Sequence, residues 1–71
     1  MKKLIILDTF TQNVIEVSVS EEAYKSFVEE YDKNTECWVW DTGLEDKLNI
    51  HMDDCSYMWA NDDYELIKVS V

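Results

Sequence analysis

Residues 19–31, VSEEAYKSFVEEY, carry the clearest structural pattern of the chain. Ser20 is a good N-cap, and Glu21 and Glu22 fall in the first turn, where the helix dipole favours negative charge. Apolar residues then recur at helical spacing and form one stripe: Ala23, Tyr24, Phe27, Val28 and Tyr31. The stretch therefore predicts an amphipathic helix that begins after Ser20 and ends near residue 33.

The segment before this helix is typical of a β-hairpin. Residues 3–9 and 14–19 are rich in aliphatic and β-branched residues, and the sequence Phe-Thr-Gln-Asn joins them. In the second run, Ile15, Val17 and Val19 alternate with side chains of the other face. We expect one face of this strand to contact solvent.

Four further strands are predicted after the helix, at residues 36–41, 47–52, 55–60 and 64–71, because apolar and other side chains alternate in each. Turns are expected at Thr42-Gly43, Asp53-Asp54 and 61–63. The predicted fold class is α+β: one domain, residues 1–71, with a small antiparallel sheet and one amphipathic helix packed on one face, in the order ββαββββ.

The motif Asp41-Thr42-Gly43 follows two hydrophobic residues and resembles the signature of aspartic proteases, in which two such aspartates share one proton. That family's fold, as the resemblance implies it, needs a longer subunit with glycine-rich flaps. Gly43 is the only glycine of this chain. We therefore interpret the motif as a strand end followed by a turn in which glycine supplies a positive φ.

The segment His51-Met52-Asp53-Asp54-Cys55 brings an imidazole, two carboxylates and a thiol together, and Cys37 is a candidate fourth metal ligand. The spacing specifies no coordination geometry, so we expect a solvated histidine, free buried cysteines, and no metal or cofactor. With one histidine, no arginine and no glycine-rich phosphate loop, the chain is also predicted not to be an enzyme.

Charge is the strongest functional signal. Sixteen acidic residues against six lysines give a net charge of −10, more than the magnitude of about 2 to 8 that keeps a small domain soluble. Residues 29–65 hold twelve acids against Lys33 and Lys47 and so carry the whole −10, while the remainder is neutral. Such a field repels nucleic acid and anionic membranes and attracts cationic partners.

Nine aromatic side chains exceed what a core with one helix can enclose. Exposed Trp and Tyr beside carboxylates are typical of a surface that binds a partner rich in Arg and Lys. Trp40, next to Asp41, is the favoured anchor. The predicted partner-binding residues are Glu36, Trp40, Asp41, Glu45, Asp46, Asp53, Asp54, Tyr57, Trp59, Asp62, Asp63 and Glu65.

These features predict a non-enzymatic protein that inhibits a nucleic-acid-acting protein by occupying its basic surface. In size and charge the chain resembles small phage-encoded inhibitors of bacterial defence nucleases, including anti-CRISPR and anti-restriction proteins. Two alternatives stay open: an antitoxin or immunity-type protein that neutralises a basic toxin or nuclease, and an acidic housekeeping domain whose charge maintains solubility.

A cytoplasmic location is expected, in a bacterial host cell if the chain is phage-encoded. No run of about 18 apolar residues is present, and Leu4-Ile5-Ile6-Leu7 is too short for the apolar region of a signal peptide. The expected partner is a basic protein, with no direct nucleic-acid or membrane binding. The target and the oligomeric state are left open.

Overall fold

Strands β1 (Lys2–Asp8) and β2 (Asn13–Val19) form the predicted antiparallel hairpin. In the computed structural model, which describes residues 1–71, strand β3 (Cys55–Asn61) pairs antiparallel with the other edge of β1. The strand order is β2-β1-β3, so β1 is central and both β2 and β3 are edge strands.

Three helices and one 3₁₀ turn connect β2 to β3. They are α1 (Glu21–Tyr31), α2 (Thr35–Asp41), α3 (Leu44–Leu48) and the 3₁₀ turn Met52–Asp54. The fold is thus a small α+β arrangement of a three-stranded antiparallel sheet and three helices. The predicted α+β class is confirmed, whereas the predicted element order, with one helix and six strands, is wrong.

The core lies between one face of the sheet and the helices. Leu4 and Ile6 of β1 are fully buried against Val39 of α2, and Ile50 and Met52 of the following segment complete the cluster. Side chains alternate along a strand, so Ile5 and Leu7 point to the opposite face of the sheet. We call that face, which the helices do not cover, the open face.

Helix α1 confirms the sequence prediction. The side chain of Ser20 accepts a hydrogen bond from the backbone N–H of Ala23 at 3.1 Å, as expected of an N-cap. The helix ends at Asp32, which adopts a left-handed conformation. Phe27 of its apolar stripe is fully buried.

The strand predicted at residues 36–41 is wrong, because this segment forms α2. Asn34 caps the helix by accepting a hydrogen bond from the N–H of Cys37 at 3.1 Å. Thr35 and Val39, four residues apart, are both buried, and Trp38 is half-buried beside them. Alternation alone does not distinguish a strand from a helix in a short apolar run. Here the Asn34 cap and the four-residue spacing of Thr35 and Val39 favour the helix.

The strand predicted at residues 47–52 is also wrong. Leu44 and Leu48, four residues apart on α3, pack against the core, and the chain then continues into the 3₁₀ turn. Gly43 has the predicted positive φ, 75°, but it follows a helix rather than a strand. Its N–H donates to the carbonyl of Trp40 at the end of α2.

The predicted strand at residues 55–60 is confirmed as β3, whereas the one at residues 64–71 is absent. The N–H of Tyr64 donates to the carbonyl of Asn61, which turns the chain after β3. The residues after Tyr64 form no β-ladder with another strand. Ile67 and Val69 are 76% and 77% exposed. Residues 66–71 are called the tail below.

Candidate functional site

The structure distributes the acidic segment over the helical layer and the two ends of β3. Eleven of its twelve carboxylates are on exposed residues, and Glu45 is half-buried. We call this set the acidic surface. Its members are Glu29, Glu30, Asp32, Glu36, Asp41, Glu45, Asp46, Asp53, Asp54, Asp62, Asp63 and Glu65.

Almost none of these carboxylates has a cationic partner within the molecule. Asp62 alone among the twelve makes an ion pair, with the N-terminal ammonium at 2.9 Å and with Lys3 Nζ at 3.9 Å. The other ion pairs involve Glu21 and Glu16, outside the acidic surface. Eleven like charges on the surface of a small domain repel one another and do not stabilise the fold.

Two carboxylates of the predicted set have structural contacts of their own. Glu45 accepts a hydrogen bond from the N–H of Met52 at 2.8 Å, which ties α3 to the 3₁₀ turn. The hydrogen bond from the N-terminal ammonium holds the pKa of Asp62 below its usual range. Both residues therefore contribute to folding as well as to surface charge.

The paired acids Asp53-Asp54 and Asp62-Asp63 lie at opposite ends of β3. A seven-residue strand is about 20 Å long at roughly 3.3 Å per residue. The two pairs are therefore separated by about the length of the strand. They do not converge on one point, and a single ligand of a few atoms does not reach both.

Four of the aromatic side chains form one packed cluster between α1, α2 and β3. The rings of Tyr24, Phe27, Trp38 and Trp59 have centroid distances between 5.0 and 5.7 Å. The indole N–H of Trp59 also donates to the hydroxyl of Thr35 at 3.0 Å. Trp59, predicted to bind a partner, is thus half-buried and engaged within the fold.

Trp40 is the one tryptophan that the structure leaves exposed, at 46%. Its position on α2 is four residues after Glu36, which places the two side chains on the same face of the helix. Asp41 follows directly. Tyr57 of β3, at 40%, is the other exposed aromatic of the predicted set.

Tyr31, at the end of α1, lies next to the carboxylate of Asp41 at the end of α2. Burial raises the pKa of the Tyr31 hydroxyl, and the neighbouring negative charge of Asp41 raises it further. The phenol therefore stays protonated at neutral pH.

The candidate metal ligands are not assembled into a site. Cys37 lies on α2 and Cys55 begins β3; both are free and half-buried. No group of three or more His, Cys, Asp or Glu side chains has an arrangement suited to a metal ion. The Cys55 thiol donates to the carbonyl of His51, and burial raises the pKa of that thiol, which disfavours the reactive thiolate.

A groove of about 400 Å³ on the open face was not predicted from the sequence. Ile5, Leu7, Val14 and Met58 form its floor, and Tyr64 and Leu66 lie along it. The signal was available in residues 4–7, Leu-Ile-Ile-Leu, which are apolar without alternation. Such a run indicates a strand with two apolar faces.

None of the helices is long and apolar enough to cross a lipid bilayer. Comparisons of the chain with protein-family models, with curated proteins and with solved structures found no match.

Proposed function

We propose that this protein is a non-enzymatic inhibitor that occupies the basic surface of a nucleic-acid-acting protein in the cytoplasm. Its carboxylates take the place of the phosphates of DNA or RNA, as in phage inhibitors of bacterial defence nucleases of the anti-CRISPR or anti-restriction type. The observation that carries the proposal is that eleven of the twelve carboxylates of the acidic surface lack an internal cation.

Unpaired surface carboxylates have a cost for folding and a use in binding. Their mutual repulsion destabilises the folded chain. On a partner rich in Arg and Lys, the same groups gain charge-assisted and bidentate hydrogen bonds, which are stronger than neutral ones. Because eleven of the twelve make no ion pair within the fold, they are available to a partner without breaking an internal ion pair.

The dimensions of the molecule suit an elongated basic groove. Its principal extents are 43 × 27 × 18 Å, and the acids occur at both ends of β3 as well as on the helices. Phosphates along one strand of a duplex repeat about every 3.4 Å of helix axis. An array about 20 Å long therefore covers a path of several phosphates.

Trp40 supplies an apolar contact with the partner, which the carboxylates do not provide. Electrostatic attraction sets the rate and orientation of encounter, whereas buried aromatic anchors usually slow dissociation. An indole that is 46% exposed, on the same helix face as Glu36, suits insertion beside an arginine of the partner.

The proposal is tested by affinity capture from bacterial lysate with the tagged wild-type protein, followed by elution in a salt gradient. We expect a basic nucleic-acid-binding protein to be captured and released at moderate salt, because exposed ion pairs are screened. The variant Asp53→Asn/Asp54→Asn should capture less, and Glu21→Gln/Glu22→Gln, with the same change in net charge, should capture nearly as much as wild type. Capture that is indifferent to salt and to both variants would exclude an electrostatic interface.

A further inference from the structure

The tail repeats the sequence of the edge strand β2 with one reversal of charge. Residues 14–19 are Val-Ile-Glu-Val-Ser-Val and residues 66–71 are Leu-Ile-Lys-Val-Ser-Val. Four of the six positions are identical, one changes Val to Leu, and one changes Glu16 to Lys68. The tail therefore has the alternation and the β-branched residues of a strand, although the structure shows it without a strand partner.

Strand β2 has a free edge. It pairs with β1 on one side, and nothing pairs with its other side. The backbone groups along that side are open to another strand, and Glu16 is the one charged side chain within β2. The edge belongs to the neutral part of the chain, outside the acidic surface, so it is a place where a second copy approaches with little repulsion.

The helix-facing side of β2 borders a shallow groove of about 510 Å³. Its apolar walls are Val17, Val19, Ala23, Trp38 and Leu44. A strand added to the free edge presents alternate side chains to this groove. If Lys68 lies on the same face of the sheet as Glu16, the tail side chains on the groove side are Ile67, Val69 and Val71.

The charge reversal favours β2 over β1 as the strand that the tail pairs with. Within β2, Glu16 lies 3.4 Å from Lys3 of β1. If the tail replaced β2 on β1, Lys68 would stand beside Lys3, and two like charges on neighbouring strands destabilise the pair. If the tail instead adds to β2, Lys68 lies opposite Glu16, and opposite charges stabilise a cross-strand pair.

We propose that the tail of one copy adds to the free edge of β2 in a second copy, with Lys68 opposite Glu16. Each copy contributes one tail and one edge, so the contact is reciprocal and closes as a two-fold dimer. The backbone of the tail supplies the ladder, and its apolar side chains enter the groove beside β2. The acidic surface is not part of this contact, and the inference does not depend on the proposed function.

The experiment is sedimentation over a range of protein concentrations, with circular dichroism as the check of folding. Wild type is expected to form dimers. Lys68→Glu and Glu16→Lys should each raise the dimer dissociation constant about tenfold or more, because the cross-strand pair occurs twice in a two-fold dimer. The double variant Glu16→Lys/Lys68→Glu should restore association.

Lys25→Glu is the matched control. It changes the net charge as Lys68→Glu does, but it lies on the exposed side of α1 and should leave the dimer unchanged. Val69→Pro removes a backbone donor from the tail, which has no ladder within one copy, and should weaken the dimer without altering the monomer's fold.

A wild type that stays monomeric at all concentrations would overturn the proposal. This holds also if the tail of that monomer is protected from hydrogen exchange, because the tail would then pair within its own copy. Equal dimerisation of Lys68→Glu and Lys25→Glu would also overturn it, as would a dimer that Val69→Pro leaves intact. If Glu16→Lys fails to fold because Lys3 loses its partner, the two lysine variants and Val69→Pro still decide the question.

Discussion

The indole N–H of Trp59 donates a 3.0 Å hydrogen bond to the hydroxyl of Thr35. This contact joins β3 to the first residue of α2, and Thr35 is 3% exposed. A buried polar side chain in a small apolar core is stabilising when its partner is present. The pair therefore helps to hold the segment 35–41 as a helix against the sheet.

Thr35→Val should lower the free energy of unfolding by about 1–2 kcal/mol, because it keeps the shape of the side chain and leaves the indole N–H without its partner. Chemical denaturation measures this value. In a Trp59→Phe background, where the donor is absent, the same substitution should cost much less. An equal cost in both backgrounds would show that the hydrogen bond does not contribute.

Trp38 and Trp40 should respond oppositely to replacement by Ala. Trp38 belongs to the aromatic cluster, so Trp38→Ala should destabilise the fold by about 3 kcal/mol. Trp40→Ala should change stability by no more than about 0.5 kcal/mol while it raises the dissociation rate from the captured partner. If Trp40→Ala unfolds the protein, Trp40 has a core role and is not the anchor.

Neutralising exposed acids should slow binding without harming the fold. Asp53→Asn/Asp54→Asn should keep or raise the melting temperature, because it relieves repulsion between neighbouring charges, and should lower the association rate at low salt by roughly tenfold. Asp63→Ser should act in the same direction. Stopped-flow association and thermal melts measure the two effects.

Glu21→Gln/Glu22→Gln is the control with the same change in charge. It should slow association much less, and it should lower the melting temperature because both residues lie in the first turn of α1. Asp62 differs from Asp53, Asp54 and Asp63, since substitution of Asp62 also removes its ion pair with the N-terminal ammonium. Equal kinetic effects of the two double variants would mean that total charge matters and a localised surface does not.

Asp8 should contribute a pH-dependent part of the stability. The Thr11 hydroxyl, with the backbone N–H groups of Thr11 and Phe10, holds the pKa of Asp8 below its ordinary value of 3.8. A lowered native pKa stabilises the fold above the unfolded pKa, and this contribution is lost as the pH falls through the native pKa.

The difference in melting temperature between wild type and Asp8→Asn should therefore be constant at neutral pH and should shrink as the pH falls below about 3.8. Asp53→Asn, at an exposed carboxylate without an ion pair, serves as the control for general charge effects. A difference that persists unchanged at the lowest pH would show that the charge of Asp8 is not what stabilises the turn.

The sequence predicted the hairpin, α1 and β3, where the periodicity of the apolar side chains agrees with the structure that forms. It failed for α2 and α3, which have seven and five residues. In Glu36–Asp41, the alternation of Trp38, Val39 and Trp40 favours a strand, and the cap at Asn34 with Thr35 and Val39 four residues apart was the available opposing signal.

The location of the charge was predictable from the sequence, since Asp and Glu lie on the surface in nearly every context. The role of each aromatic was not. Trp40 and Trp59 both lie in short apolar runs, and the packing of α2 against β3 buries part of Trp59 and leaves Trp40 exposed. The pairing of Asp62 with the N-terminus joins residues 61 positions apart, and no local pattern indicates it.

Whether the acidic surface replaces phosphates is tested by a competition titration with the captured partner. The apparent dissociation constant of the partner for its own nucleic acid is measured by fluorescence anisotropy at increasing concentrations of this protein. Replacement of phosphates by the acidic surface predicts that the apparent constant rises in proportion to the protein added, and that Asp53→Asn/Asp54→Asn shifts this rise to higher concentration. Unchanged affinity for nucleic acid in the presence of saturating protein would contradict the claim.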